Sequence, residues 1–418
     1  MRGEAEASDR RRVVRHLLTG CAQCTAMTRR FWSLGEARSS EKEDGSALRP
    51  SPRGSRAPRR LAELLDLAKA DRLERIRSDE RFQTPALCEL LIQESRSAGD
   101  AVAAAERGEE AVAVAERLDE RRHGSTLVRS FRARAWAYFG NGRRRARSLK
   151  SAEAALATAE RLAGEDGEPI DPLDRAEVEE LAARLLADQG KPGEAERRLE
   201  QALEAYRTLG MRHLQGRVLV QQGAIRGWLP GEGAASRGIE QLREGMALLD
   251  VDEDPALAAF AFHRLALLLL ESGVEGEALR ALYRARRLYQ ELEDGPNLVR
   301  LRHLEGRIAE VLGVPDVAEA AFLEARQNYL LESMGADAAR VLLDLAILYR
   351  RQGRAPEILD LAQSLSPIFR TRDIRQEVAL ALMFFQRLAE TGHTHIEVLL
   401  EVARFLAGPP KARSPMLR

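Results

Sequence analysis

At 418 residues the chain exceeds the usual single-domain size, and its 31% charged and 5% aromatic content, with Ala, Leu, Glu and Arg abundant, favours helices over strands and sets the class as all-α. Three cysteines, Cys21, Cys24 and Cys88, are too few for a disulfide framework, which excludes a stapled secreted fold and fits a reducing cytoplasm. The formal charge is zero, and the longest apolar stretches, such as Leu265 to Leu270 and Val378 to Phe385, fall short of the ~20 residues of a spanning helix; the N-terminus lacks a signal-peptide core, so no membrane partner is expected.

In chain order, residues 1–35 predict a helical segment in which Val14, Leu17, Leu18, Cys21, Cys24, Met27 and Phe31 roughly follow helical spacing. Within it stands His16-Leu17-Leu18-Thr19-Gly20-Cys21-Ala22-Gln23-Cys24, where two thiols three apart and one imidazole supply three candidate zinc ligands. The segment resembles the zinc-binding motif of anti-sigma factors, with four residues between His16 and Cys21 where that family has three. The resemblance implies zinc held by His16, Cys21 and Cys24. The alternative is that the cysteines act as small hydrophobes docking this helix on the rest of the chain. Residues 36–60, with Arg49-Pro50-Ser51-Pro52-Arg53-Gly54, show no periodicity and read as a flexible linker. The first 60 residues hold 14 Lys or Arg against 7 Asp or Glu, a basic arm read mainly as solvated.

From Leu61 to about Leu406 apolar residues recur at helical spacing, punctuated by Asp171-Pro172, Asp254-Pro255 and Gly295-Pro296. Gly190, Gly273, Gly313 and Gly353 set a common frame. Five residues later stand Ala195, Ala278, Ala318 and Ile358; nine later Leu199, Leu282, Phe322 and Ala362; twelve later Ala202, Ala285, Ala325 and Leu365; sixteen later Tyr206, Tyr289, Tyr329 and Phe369. Glycine closes the first helix of a hairpin, the small residue permits close helix packing, and the large residues fill the space against neighbouring hairpins. Gly140 extends the frame through Leu149, Ala152 and Leu156, and Gly233 through Leu242 and Leu249. Around Trp228-Leu229-Pro230-Gly231 extra residues separate helix from turn, Gly238 replaces the small Ala, and a kink is expected.

The frame resembles the tetratricopeptide repeat (TPR) family, whose motif has a small residue seven before the turn glycine, here Ala133, Ala183, Ala266, Gly306 and Ala346, and a large one four before it, here Trp136, Leu186, Leu269 and Tyr349. The step from Gly273 to Gly313 to Gly353 is 40 residues, against the family's usual 34. Lengthened repeats of this kind resemble those of the kinesin light chain and of bacterial peptide-sensing or sugar-sensing regulators. The resemblance implies a right-handed superhelical solenoid of antiparallel helix hairpins over residues 61–408, with a disordered tail at 409–418.

In that architecture the first helix of each hairpin lines a concave groove. Ten before the turn glycines lie His263 and His303; nine before, Arg264 and Asp344; six before, Arg134, Arg184 and Arg307. These seven form the expected partner-binding column, suited through its Arg forks to an acidic peptide segment or a terminal carboxylate. The two histidines lack residues to complete a metal shell and are read as hydrogen-bonding contacts.

No nucleophile, carboxylate pair or phosphate loop stands in a diagnostic frame, so no enzyme is expected. Gly140-Asn141-Gly142 reads as a turn, Glu179 and Glu180 as solvated helix surface, and Cys88 as core. No helix-turn-helix is visible, which argues against nucleic acid as a partner. The sequence therefore reads as a cytoplasmic, bacterial-style regulatory scaffold binding a protein or peptide. The alternative is a ligand- or peptide-sensing, transcription-associated regulator with a zinc-binding N-terminus.

Metal analysis of the purified chain separates the two readings of the N-terminal segment. The zinc reading expects about one zinc per chain, lost with Cys21→Ser or Cys24→Ser; a metal-free wild type selects the docking helix.

Overall fold

The computed structural model describes residues 56–164, 170–227, 229, 233–371, 374 and 376–407. His16, Cys21, Cys24, Trp228, the tail at 409–418 and all but the last five residues of the 36–60 linker lie outside them. Among the described residues there are helices and no strand, and no helix is long and apolar enough to cross a membrane. They fall into two compact units, one reaching Ile225 with residues 247–249 added, the other formed by 226–246 and the chain after Asp250.

The first unit holds α1 Ala57–Leu65, α2 Lys69–Ser78, α3 Pro85–Ser97, α4 Ala101–Ala115, α5 Glu120–His123, α6 Ser125–Arg145, α7 Leu149–Ala163, α8 Pro172–Asp188, α9 Pro192–Thr208 and all but the last residue of α10 Arg212–Arg226. Its helix α1 starts inside the segment read as linker, with Ala57 already buried. Successive helices pack as hairpins, α3 on α4, α6 on α7 and α8 on α9, and α6 packs on both α4 and α8. The second unit holds nearly all of α11 Ala234–Leu248, then α12 Pro255–Glu271, α13 Glu275–Glu291, α14 Gly295–Val311, α15 Pro315–Leu331, α16 Gly335–Arg351, α17 Ala355–Gln363, α18 Ser366–Phe369, α19 Gln376–Glu390 and α20 Ile396–Ala407. Here α12 packs on α13, α14 on α15, and α15 on α16.

The 40-residue step has a simple origin in the second unit: two 17-residue helices and two three-residue turns make one repeat. Each hairpin turn passes through a left-handed residue, at Gly190, Gly273, Gly313 and Gly353 with φ 71 to 73°. The turn between hairpins is built the same way, from Gly210 (φ 71°), Glu293 (φ 53°) and Ser333 (φ 57°). At the last two no glycine marks the turn, so the sequence frame did not reveal them. The Asp-Pro punctuation works as start signal: the Asp171 and Asp254 carboxylates accept from the amides of Leu173 and Leu257, and the following proline fits the first turn, where its missing N–H costs nothing.

The paired helices meet where the residue seven before the turn touches the residue nine after it. A methyl group added at Gly306 would lie 2.4 Å from the Phe322 ring. In the preceding hairpin the corresponding pair is Ala266 and Leu282, both fully buried. The larger ring is accommodated by the smaller partner. The tyrosines Tyr206, Tyr289 and Tyr329 are fully buried as the frame expects. In the last repeat Pro367 follows a break at Ser364 that ends α17, and Ile368 is buried there while Phe369 is only half-buried.

One reading of the frame is corrected. Gly140-Asn141-Gly142 is no turn, since α6 runs unbroken to Arg145 and the left-handed residue is Arg147, at φ 59°. With Arg147 as the turn, Gly140 becomes the small residue seven before it, and Leu156, nine after it, would lie 2.8 Å from a methyl added at Gly140. Ala152, Leu156, Ala159 and Ala163 then fill the buried positions after the turn. The register of this repeat is shifted by seven residues, so Ala133, Arg134 and Trp136 leave the positions first given to them.

The contact between Gly306 and Phe322 makes a quantitative test. Gly306→Ala is expected to destabilise by about 1–2 kcal/mol, overpacking outweighing the better helix propensity of Ala. Phe322→Leu alone is expected to cost a similar amount through the void it leaves, about 1–2 kcal/mol. The double variant, which copies Ala266 and Leu282, should recover most of the loss in urea denaturation; additive losses contradict the size-matching account.

Candidate binding face

The first helices of the hairpins carry most of the buried charge in the first unit. Arg134 on α6 is 3% exposed, and each of its three nitrogens faces a carboxylate. Nη1 and Nη2 donate to Glu89 on α3 at 2.6 and 3.1 Å, while Nε lies 2.9 Å from Glu177 and 3.2 Å from Asp174 on α8. The Tyr138 hydroxyl donates to the other Glu177 oxygen at 2.5 Å. Burial works against the Arg134 charge, but the Glu177 and Glu89 carboxylates outweigh it and hold the guanidinium well above its ordinary pKa. Arg134 borders a cleft of about 370 Å³ that also touches Ser130, Phe131, Asp171 and Asp174. In the corrected register Arg134 and Glu177 both stand thirteen before their turn residues, so the structure removes Arg134 from the groove column and makes it a tie between three first helices.

A second tie follows on α8. Glu180, expected on a solvated face beside Glu179, is 1% exposed. Arg217 on α10 donates to its Oε2 through Nη2 at 2.5 Å and Nε at 3.0 Å, Gln221 donates to Oε1 at 2.6 Å, and Arg184 donates to Oε1 at 2.7 Å. Burial alone would raise the Glu180 pKa; the Arg217 and Arg184 guanidiniums and the hydrogen bonds from Arg217 and Gln221 instead lower it from 4.5 to about 2. Arg184 keeps its column position and stays half-exposed, also donating to Gln221 at 3.0 Å. Sequence reading missed Glu89, Glu177, Arg217 and Gln221; for Glu177 the signal lay in its standing as far before its turn as Arg134 does, once the α6 turn is placed at Arg147.

In the second unit the column residues lie on α12, α14 and α16. His303 bonds the Asp344 carboxylate at 2.6 Å, and its ring packs edge-on to Phe322 and Tyr329. Arg307 reaches back to Glu271 at 3.8 Å, and Arg351 donates to Glu310 at 2.6 Å. His263 packs edge-on to Tyr289, and burial, with Arg264, Arg300 and His303 nearby, lowers its pKa from 6.5 to about 3, so it is neutral at physiological pH. Arg264 is strongly desolvated and pushed below its ordinary range, with Glu271 opposing the shift. The expected basic column is thus a mixed ladder in which Glu271, Glu310 and Asp344 answer arginine and histidine on neighbouring helices. Two apolar side chains of the same helices, Phe260 at 38% and Val311 at 53%, are exposed.

Among the described residues no three His, Cys, Asp or Glu stand close enough to hold a metal ion, and the Cys88 thiol is buried and pushed far above its usual pKa by that burial.

The buried Glu180 cluster has a pH signature. Its carboxylate pKa is lower folded than unfolded, so its stabilisation is present above about 4.5 and is lost as pH falls from 4.5 towards 2. Glu180→Gln is expected to cost about 3–5 kcal/mol at neutral pH by stranding Arg217. Its unfolding free energy should fall less steeply than that of the wild type across this acid range, and parallel acid limbs would contradict the assignment.

No protein-family model matches the sequence, and no curated protein matches it significantly. Among solved structures the chain is similar to BtubC (BKLC) from P. vanneervenii, at 18% identity and a TM-score of 0.42 over 57% of this chain and 90% of that one. It is also similar to aspartyl phosphate phosphatase F from Bacillus subtilis, at 12% identity and a TM-score of 0.48 over 88% of this chain and 96% of that one.

Proposed function

We propose that the chain is a non-enzymatic TPR-type interaction module that binds an extended protein segment on the first-helix faces of its repeats. The observation that carries this reading is the face of α12, α14 and α16 in the second unit. There the bonds of His303 with Asp344 and Arg351 with Glu310 hold side chains in place, Arg307 stands half-exposed beside Glu271, and exposed Phe260 and Val311 lie on the same helices. Fixed donors and acceptors lower the ordering cost of recognition, and exposed apolar side chains supply the burial that polar contacts lack. A segment carrying acidic and apolar side chains fits this mixture, with the carboxylates meeting Arg264 and Arg307.

Affinity capture with the intact chain, followed by titration of the captured partner, tests this. Reversal of Arg264 and Arg307 to Glu is expected to weaken binding at least ~10-fold, as removal of charge-assisted contacts does. Deletion of residues 1 to 60 should leave it largely intact. A partner held at full affinity by the charge-reversed protein rules out this face as its site.

A further inference from the structure

A second charged cluster lies on the first unit, where the last turns of α6 and α8 meet. Arg144 on α6 donates through Nη1 to Asp188 on α8 at 2.6 Å and through Nε to Asn141 at 3.1 Å. Arg184 stands one helical turn before Asp188 and is fixed by Gln221 and Glu180. Arg145 donates through Nη2 to the carbonyls of Ala98 at 2.7 Å and Gly99 at 2.9 Å, just past the end of α3. Each guanidinium is therefore anchored through some of its N–H groups. Nη2 of Arg144, Nε and Nη1 of Arg145 and Nη1 of Arg184 stand outside these bonds.

The local charge is unbalanced. Asp188 answers Arg144 and Asp100 faces Arg145, while the Glu180 charge that Arg184 touches is already shared with Arg217. Burial, with Arg184 close to both, pushes Arg144 and Arg145 below their ordinary range in spite of those carboxylates. Half-buried guanidiniums that repel one another are relieved by a bound anion, and anchored ones give up little freedom in binding it.

We propose that Arg144, Arg145 and Arg184 form a binding site for a phosphorylated side chain of a partner protein; this rests on the reading of the first-helix faces as the binding surface. The shape of the anion follows from the donors. A carboxylate is planar and is satisfied by a single Arg fork, whereas a phosphoryl group offers three oxygens in three directions and −1.5 to −2 charge, which suits three guanidiniums on separate stems. Nucleic acid needs a continuous track of cations. The patch does not continue that way, because α10 presents Gln221 and the buried Arg217, which is locked onto Glu180.

The test is calorimetric titration of the full chain with O-phosphoserine, with L-glutamate, serine and a single-stranded oligonucleotide as comparison ligands. O-phosphoserine is expected to bind at least ~10-fold more tightly than glutamate, as a doubly charged three-oxygen ligand should on paired Arg donors. Arg184→Gln should weaken it ~10-fold, the effect of losing one charge-assisted contact. Asp188→Asn, which removes the competing carboxylate, should tighten it several-fold, a gain that partial unfolding does not produce. Equal affinity for glutamate, no gain in Asp188→Asn, or an oligonucleotide that displaces O-phosphoserine would each overturn the proposal. The probe is a small molecule and the variants lie on α8, so failure here leaves the partner titration on α12, α14 and α16 to be judged by itself.

Discussion

Everything in this chain depends on two helices approaching closely enough to bury a stripe that neither could bury alone. The approach is set seven residues before and nine after the turn, where a small residue stands at the first position and a large one at the second: Gly306 and Phe322, Gly140 and Leu156, Ala266 and Leu282. A left-handed turn residue fixes the angle at which the second helix returns, and glycine supplies that conformation at least steric cost. Because the contact recurs, the repeats superpose, and residues at equal distance from the turn stand beside one another on successive first helices.

That superposition explains why charge is spent differently in the two units. In the first unit equal registers place Arg134 beside Glu177, and Glu180 on α8 meets Arg217 on α10, with the pairs buried. Buried ion pairs of this kind gain little net stability over apolar packing, but a missing partner is costly, so they penalise any slip of one hairpin against the next. In the second unit the same cross-helix pairing leaves Arg307 half-exposed beside Glu271 and Arg351 exposed, while the Glu310 carboxylate that Arg351 meets is largely buried. The first arrangement holds register; the second presents a surface.

The charged groups of this ladder are held by one another. Its carboxylates answer guanidiniums or an imidazole on neighbouring helices, His263 is held neutral by burial, and the Cys88 thiol is sealed in the core. Groups committed in this way are good geometric references, since pairing restricts their positions before any ligand arrives.

The repeat period, the hairpin turns at Gly190, Gly273, Gly313 and Gly353, and the burial of the three tyrosines were legible in the sequence because each rests on local chemistry: a left-handed turn, helical periodicity and side-chain size. The same signals misled at Gly140, where glycine serves close helix contact and the turn falls to Arg147, a residue type with no preference for it. The helix Ser125–Arg145 therefore runs five residues past the expected turn, and every site residue counted from Gly140 was displaced. Whether a given Arg or Glu faces solvent or a neighbouring helix was decided only by tertiary structure. A charged residue on a helix stripe has the same spacing in either case, and the partner that buries Glu180 or Arg134 comes from another hairpin some 40 residues away.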